Sequence, residues 1–207
     1  MIYLLSPSVY SGVVSMPMVT FSPVAQAIDF QDCDTLLFTS KNSVKIANDI
    51  DPKWREYPSI AIGKETAKTI TELGGHLVAL SKEAYASSVA ELIEEDFKNS
   101  KILYLRPEVV SSENLATLVR QQVIYKTKCV AYPKSKQPRK KAVIIVTSPS
   151  TIRCFLENFE WQESYHAVAI GRVTAEALPP FVRYSIASEP TISACISLAK
   201  ELDTAQF

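Results

Sequence analysis

Four short stretches combine hydroxyl side chains, small residues and the expected start of a helix: Thr39-Ser40-Lys41, Gly63-Lys64-Glu65-Thr66, Thr147-Ser148-Pro149-Ser150 and Gly171-Arg172-Val173-Thr174. Each follows a short apolar run, so each is placed where a strand ends and a helix begins. The first N–H groups of a helix lack intrahelical partners and carry a partial positive charge, which suits carboxylates or phosphates. One such turn is ordinarily a helix cap. Four of them, turned toward a common cleft, point to an extended polyanionic ligand. Motifs for other chemistry are missing: the chain has no GxGxxG, GxxxxGK[ST] or GxSxG sequence, which argues against dinucleotides, nucleoside triphosphates and a serine-nucleophile elbow. With two histidines, His76 and His166, neither a Ser-His-Asp set nor a histidine metal site is expected. Glu91, Glu94 and Glu95 read as solvated helix positions.

The elements around these turns are duplicated. Leu36-Leu37-Phe38-Thr39-Ser40 matches Ile144-Ile145-Val146-Thr147-Ser148, and Ile60-Ala61-Ile62-Gly63-x-x-Thr66-Ala67 matches Val168-Ala169-Ile170-Gly171-x-x-Thr174-Ala175. Ser148 lies 108 residues after Ser40, and Gly171 lies 108 after Gly63. Two matches in one register imply an internal repeat. Buried strands are expected at 36–38, 59–62, 76–80 and 101–107, with helices after Ser40, from about Glu65 to the Gly74-Gly75 stop, at 86–97 and near 113–121. A further strand is expected at 129–132. Short apolar strands alternating with helices predict parallel sheets covered on both faces.

The counterpart of Lys101-Ile102-Leu103-Tyr104-Leu105-Arg106-Pro107 is at the start of the chain, in Met1-Ile2-Tyr3-Leu4-Leu5-Ser6-Pro7. Residues 13–21 then correspond to the strand around 129–132. The fold expected is α/β: two similar parallel-sheet domains joined by two crossing antiparallel linker strands, with domain one discontinuous. Its expected limits are 1–17 plus 136–207 for domain one, 30–126 for domain two, and 18–29 and 127–135 for the linkers. Too few residues separate Pro7 from Val13 for a helix, so domain one should lack one. The basic stretch 133–141 reads as a solvated linker.

Charge adds a constraint. Lys plus Arg and Asp plus Glu number 22 each, leaving no global field to steer nucleic acid. No apolar run reaches the roughly 18 residues of a membrane span, and the apolar start, without a basic leader, reads as a strand. Cys33, Cys129, Cys154 and Cys195 stand far apart, which suggests buried thiols in a reducing cytosol rather than a disulfide frame or zinc site.

The same residues resemble the uroporphyrinogen-III synthase family. Its pattern is similar to Leu37-Phe38-Thr39-Ser40, Ile62-Gly63-x-x-Thr66-Ala67, Leu103-Tyr104-Leu105-Arg106, Val130-x-Tyr132, Val146-Thr147-Ser148-Pro149-Ser150, Ile170-Gly171-x-x-Thr174-Ala175 and Glu189-Pro190-Thr191-Ile192, in that order. The departures are Ser6, where an arginine is usual, and Pro107, where a glycine is usual. The resemblance implies a cytoplasmic, cofactor-free and metal-free enzyme of porphyrin and heme biosynthesis. Its substrate would be hydroxymethylbilane, a linear tetrapyrrole with an acetate and a propionate on each ring. The product is uroporphyrinogen III, formed by loss of water and inversion of ring D. Substrate contacts then fall to Thr39, Ser40, Lys41, Gly63, Lys64, Glu65, Thr66, Arg106, Thr147, Ser148, Pro149, Gly171, Arg172, Val173 and Thr174. Tyr132, placed in a crossing strand, is the candidate proton donor to the departing hydroxyl. A monomer is expected, with no nucleic-acid or membrane partner and at most a transient contact with the preceding pathway enzyme. The rival reading is a bilobed module that binds a small anion without reaction. A sugar-phosphate isomerase-like domain is weaker, because no base is placed for it.

Overall fold

Short strands and helices alternate along the computed structural model, which describes residues 1–81, 86–110 and 118–204. In chain order they are β1 (Ile2–Leu4), β2 (Val13–Ser15), β3 (Val19–Pro23), β4 (Thr35–Phe38), α1 (Lys41–Ile50), β5 (Pro58–Ile62), α2 (Lys64–Glu72), β6 (His76–Ser81) and α3 (Ala86–Asp96). There follow β7 (Ile102–Pro107), β8 (Arg120–Cys129), β9 (Val143–Val146), α4 (Pro149–Asn158), β10 (His166–Ala169), α5 (Arg172–Glu176), β11 (Tyr184–Ile186) and α6 (Ile192–Thr204). The chain divides into two compact units, Met1–Thr20 with Lys128–Phe207, and Phe21–Thr127. It passes from one unit to the other within β3 and again within β8.

The discontinuous unit holds a five-stranded parallel sheet in the order β11-β10-β9-β1-β2. The N-terminal strand therefore lies beside β9, with Ile2 opposite Val143 and Leu4 opposite Ile145. Side chains alternate across the sheet. Tyr3, Leu5, Ile144, Val146, Ala167 and Ala169 pack on one face with Ile152 and Phe155 of α4. On the other, Ile2, Leu4, Val143, Ile145 and Val168 pack under Cys195, Ile196 and Ala199 of α6. No helix lies between β1 and β2. Met16 is buried on the α4 side and Val13 packs on the α6 side, while Val14 stays exposed.

The continuous unit holds a six-stranded sheet in the order β3-β8-β7-β4-β5-β6. Its strands are parallel except for the antiparallel pairing of β3 with β8. Val24 N–H donates to Ile124 O at 2.9 Å on one flank of that pair, and Val130 N–H to Met18 O at 2.9 Å on the other. Leu36, Phe38, Ala61, Leu103 and Leu105 face α1 and α2, together with the buried Trp54. Leu37, Ile60, Ile62, Ile102 and Tyr104 form the opposite face, with Ile93 of α3. Helix α2 stops where Gly74 turns to φ 81°, and Gly75 N–H closes back on Ile70 O at 2.9 Å, the geometry that glycine permits at a helix end.

Several local expectations need correction. The strand expected over 13–21 is two strands, because Pro17 has no N–H to offer a ladder. The strand expected at 129–132 lies earlier, over Arg120–Cys129. Arg120 and Gln121 thus belong to a strand, and the rest of the helix expected near 113–121 falls mainly outside the described residues. The polar residues of β8 conceal it in the sequence, since Ile124 and Tyr125 alone among its residues are buried.

The cysteine expectation also fails for two of the four. Cys129 and Cys154 form a disulfide with Cα atoms 5.2 Å apart, because the end of β8 runs against the middle of α4. Cys33 and Cys195 remain free, and burial pushes the Cys195 thiol up to about 11. Asn158 reinforces the same junction. Its side-chain N–H groups reach Val130 O and Cys154 O, both at 2.8 Å, and its Oδ1 accepts from Tyr132 N–H at 2.7 Å. The basic stretch after it is tied down too: Lys134 Nζ donates to Asn158 O at 2.8 Å. A crosslink spanning 25 residues restricts the unfolded chain by about 3 kcal/mol. Thermal melting of oxidised protein, with and without a dithiol, should therefore show a lower midpoint on reduction. Cys129→Ser should melt like the reduced form, and identical curves for oxidised and reduced protein would contradict the pairing.

Candidate functional site

Parallel strands deliver all their carboxyl ends to one edge of a sheet, and the helices that follow begin there. In the continuous unit that edge carries Thr39-Ser40-Lys41 after β4, Gly63-Lys64-Glu65-Thr66 after β5, and Arg106 near the end of β7. In the discontinuous unit it carries Thr147-Ser148-Pro149 after β9 and Gly171-Arg172-Val173-Thr174 after β10.

The four turns differ in how much of their hydrogen-bonding capacity is spent internally. Ser148 closes a capping box: its Oγ accepts from Thr151 N–H at 3.4 Å, and Thr151 Oγ1 accepts from Ser148 N–H at 3.2 Å. Ser148 and Ser150 share a further bond at 2.9 Å, Pro149 has no N–H, and Thr147 Oγ1 donates to Leu5 O at 3.4 Å. This turn largely satisfies itself. Ser40 caps α1 by accepting from Asn42 N–H at 3.1 Å, leaving Thr39 and the exposed Lys41 beside it.

The two glycine turns are different. Neither Gly63 nor Gly171 supplies a side-chain cap, so the first N–H groups of α2 and α5 are left for an outside acceptor. Thr66 and Thr174 occupy the same position in the two helices, and each is only 4% exposed. Among the described residues neither hydroxyl has a hydrogen-bond partner. Lys64, Glu65, Arg172 and Val173 are exposed around them.

Arg106 donates from Nη1 to Pro107 O at 3.3 Å and Glu108 O at 3.4 Å, and its buried Nε has no partner. No carboxylate among the described residues pairs with it. Tyr104, two residues earlier, was not singled out by the sequence. Its hydroxyl meets Thr39 Oγ1 at 2.9 Å, and burial raises its pKa above the ordinary phenol value.

Tyr132 lies beyond the end of β8 rather than within it. Its ring packs against Phe159 with centroids 6.1 Å apart, and its hydroxyl donates to Pro17 O at 3.0 Å. Burial raises its pKa, so the phenol holds its proton at neutral pH. His166 is half-buried, bonded through Nε2 to Ser185 Oγ at 3.0 Å. Burial and the nearby Arg183 lower its pKa, which keeps the ring neutral. Cys129, Cys154 and Glu157 lie close together, but sulfurs joined to each other offer no thiolates to a metal.

Each uncapped glycine turn leaves N–H groups that can receive an anionic group. The model of the uroporphyrinogen-III synthase HemD family matches residues 11–197. The chain belongs to that family. A uroporphyrinogen-III synthetase structure from Helicobacter pylori is similar over 97% of this chain and 98% of its own, with 25% identity and a TM-score of 0.82. A mutant uroporphyrinogen III synthase from Thermus thermophilus matches 94% of this chain and 91% of its own at 15% identity, with a TM-score of 0.58, a likeness of fold. Among curated proteins no relative is matched. The family's enzymes are cyclising hydro-lyases of tetrapyrrole biosynthesis.

The two glycines make a discriminating pair. Gly63 has φ 78°, a conformation that costs a residue with a side chain about 1–3 kcal/mol. Gly171 has φ −174°, open to any residue, and nothing lies within 4 Å of an added Cβ. Gly63→Ala should therefore lower the melting point, whereas Gly171→Ala should melt like the parent. If the N–H groups at Gly171 receive a substrate carboxylate, Gly171→Ala should still raise KM roughly tenfold through the methyl group in its path. An unchanged KM in steady-state assays would remove Gly171 from the site.

Proposed function

We propose that this chain converts hydroxymethylbilane to uroporphyrinogen III, with its helix-start turns acting as receptors for the substrate's carboxylates. The observation that carries the reading is the duplicated pair of uncapped turns, each with a buried, unpartnered threonine: Gly63 with Thr66, and Gly171 with Thr174. A linear tetrapyrrole with eight carboxylates needs several separate anion receptors. Lys41, Lys64, Arg106 and Arg172 add positive charge at the same strand ends. Glu65 and Val173 contribute backbone in the first helical turns rather than side-chain charge. Thr39, Ser40, Thr147, Ser148 and Pro149 complete the receptor set, with the Ser148 turn acting mainly as a rigid support.

The reaction places little demand on acid–base groups. Loss of the terminal hydroxyl as water leaves an electrophilic azafulvene on ring A. The substituted carbon of ring D attacks it, and the spiro intermediate fragments and recloses with ring D reversed. The protein's contribution is to hold the chain curled, so that this closure outruns direct closure to the symmetric isomer.

Tyr132 is assigned the proton supplied to the leaving hydroxyl. A phenol whose pKa is raised is a hydrogen-bond donor more than a strong acid, and a departing hydroxyl needs modest help. To act, its O–H must leave Pro17 O for the substrate. The protein is assigned to the cytoplasm as a monomer that works without metal or organic cofactor and has at most a transient contact with the preceding pathway enzyme. No described helix is long and apolar enough to cross a membrane.

Incubation of purified protein with fresh hydroxymethylbilane, followed by oxidation and isomer analysis, tests the assignment. The type III isomer should dominate, and spontaneous type I product alone from folded protein would overturn it. In the same assay Tyr132→Phe should slow turnover about 10²-fold, in the range of general-acid contributions, with KM little changed. Near-normal turnover would return Tyr132 to a packing role.

A further inference from the structure

We propose that Tyr104 is a positioning residue for Thr39: its buried phenol donates to Thr39 Oγ1 and so leaves the threonine hydrogen free for a substrate carboxylate. The proposal rests on the functional reading above and adds to it a residue with no expected contact of its own to the substrate.

The placement follows from the sheet. Strands β4 and β7 pair in parallel with Leu37 opposite Tyr104, and both side chains lie on the same apolar face with Ile60, Ile62 and Ile102. Thr39, two residues beyond Leu37, falls on that face at the strand end, where its Oγ1 sits 2.9 Å from the Tyr104 hydroxyl. The same register continued by two residues brings Thr39 level with Arg106. Arg106 is close enough to Tyr104 to act on it electrostatically.

The direction of the bond follows from what surrounds each group. Tyr104 is 5% exposed, and Thr39 is the hydroxyl's only hydrogen-bond partner among the described residues. Were Thr39 the donor, the phenol hydrogen would have no acceptor among the described residues, at the cost of an unsatisfied polar group on a buried residue. Tyr104 is therefore the donor and Thr39 the acceptor. Thr39 is half-exposed, so its own hydrogen is directed to solvent or ligand. A donor that is itself accepting a hydrogen bond is polarised and strengthened. The result is a relay, Tyr104 O–H to Thr39 O–H to carboxylate, anchored in the core and delivered at the sheet edge beside the Arg106 cation.

The test is a double-mutant cycle with Tyr104→Phe, Thr39→Val and the pair, measuring KM, kcat, isomer ratio and melting point. Tyr104→Phe should raise KM roughly fivefold, the effect of one lost hydrogen bond, and increase the type I fraction, with kcat changed less than twofold. In the Thr39→Val background it should change KM by less than twofold, because the two residues act as one unit. An additive effect, or a changed melting point with unchanged KM and isomer ratio, would overturn the proposal. Should Tyr104→Phe fail to fold, Thr39→Ser decides. Serine keeps the hydroxyl that Tyr104 holds, so its KM should stay within twofold of the parent. A KM as weak as that of Thr39→Val would mean that no anchoring exists. Failure of the parent protein to turn over hydroxymethylbilane would sink the functional reading instead, and the two failures are told apart by that control.

Discussion

The parallel ladder between β1 and β9 is the constraint from which the rest of the discontinuous unit follows. A parallel pair cannot be joined by a tight turn, so the chain must travel away and return. Here the return comes after the whole continuous unit. Ile2 is set against Val143 and Leu4 against Ile145, and β10 pairs in parallel with β9 on its other side. Their carboxyl ends then share one edge, and α4 and α5 start there. The other sheet repeats the logic with β4, β5 and β7. The helix-start turns are thus a by-product of strand direction, and the sequence at each turn decides whether its N–H groups are spent locally or left open. Serine spends them and glycine leaves them open.

This division of labour suits a reaction whose difficult steps belong to the substrate. The neutral, hydrogen-bonded His166 is committed to Ser185, and the carboxylates Glu91, Glu94 and Glu95 are exposed on α3. What the strand ends carry instead are hydroxyls, backbone dipoles and the cations of Lys41, Lys64, Arg106 and Arg172. Selectivity between two ring closures depends on geometry, and the Thr39–Tyr104 bond and the Ser148 capping box are the rigid features of these strand ends.

Much of this was legible in the sequence wherever one residue type did one job. Glycine followed three residues later by threonine, repeated at a fixed offset, located Gly63, Thr66, Gly171 and Thr174 and the helices they start. The matched apolar runs gave the parallel sheets, and the resemblance of 1–7 to 101–107 gave the N-terminal strand its place in the sheet. Features that depend on contact between distant residues were hidden. Strand β8 is mostly half-exposed, so its polar residues disguised it as the end of a helix. Cys129 and Cys154 showed no pairing motif, because their meeting is set by where β8 ends against α4. Tyr104 read as one more apolar strand residue; the hydroxyl it meets at 2.9 Å belongs to Thr39, just past the end of β4 and 65 residues earlier. Tyr132 was read into a strand that stops three residues short of it.

The discontinuous unit also fixes an order of events during synthesis. Strand β1 lies between β9 and β2 in its sheet, yet β9 is translated more than a hundred residues later. At about 5–20 residues per second, the first strand waits roughly ten seconds for its neighbour while the continuous unit is made and can fold. For that interval Ile2, Leu4 and Leu5, all buried in the finished fold, lack the side of their core that β9 supplies. The ribosome, by releasing the continuous unit before β9, makes the discontinuous unit the last one to be finished.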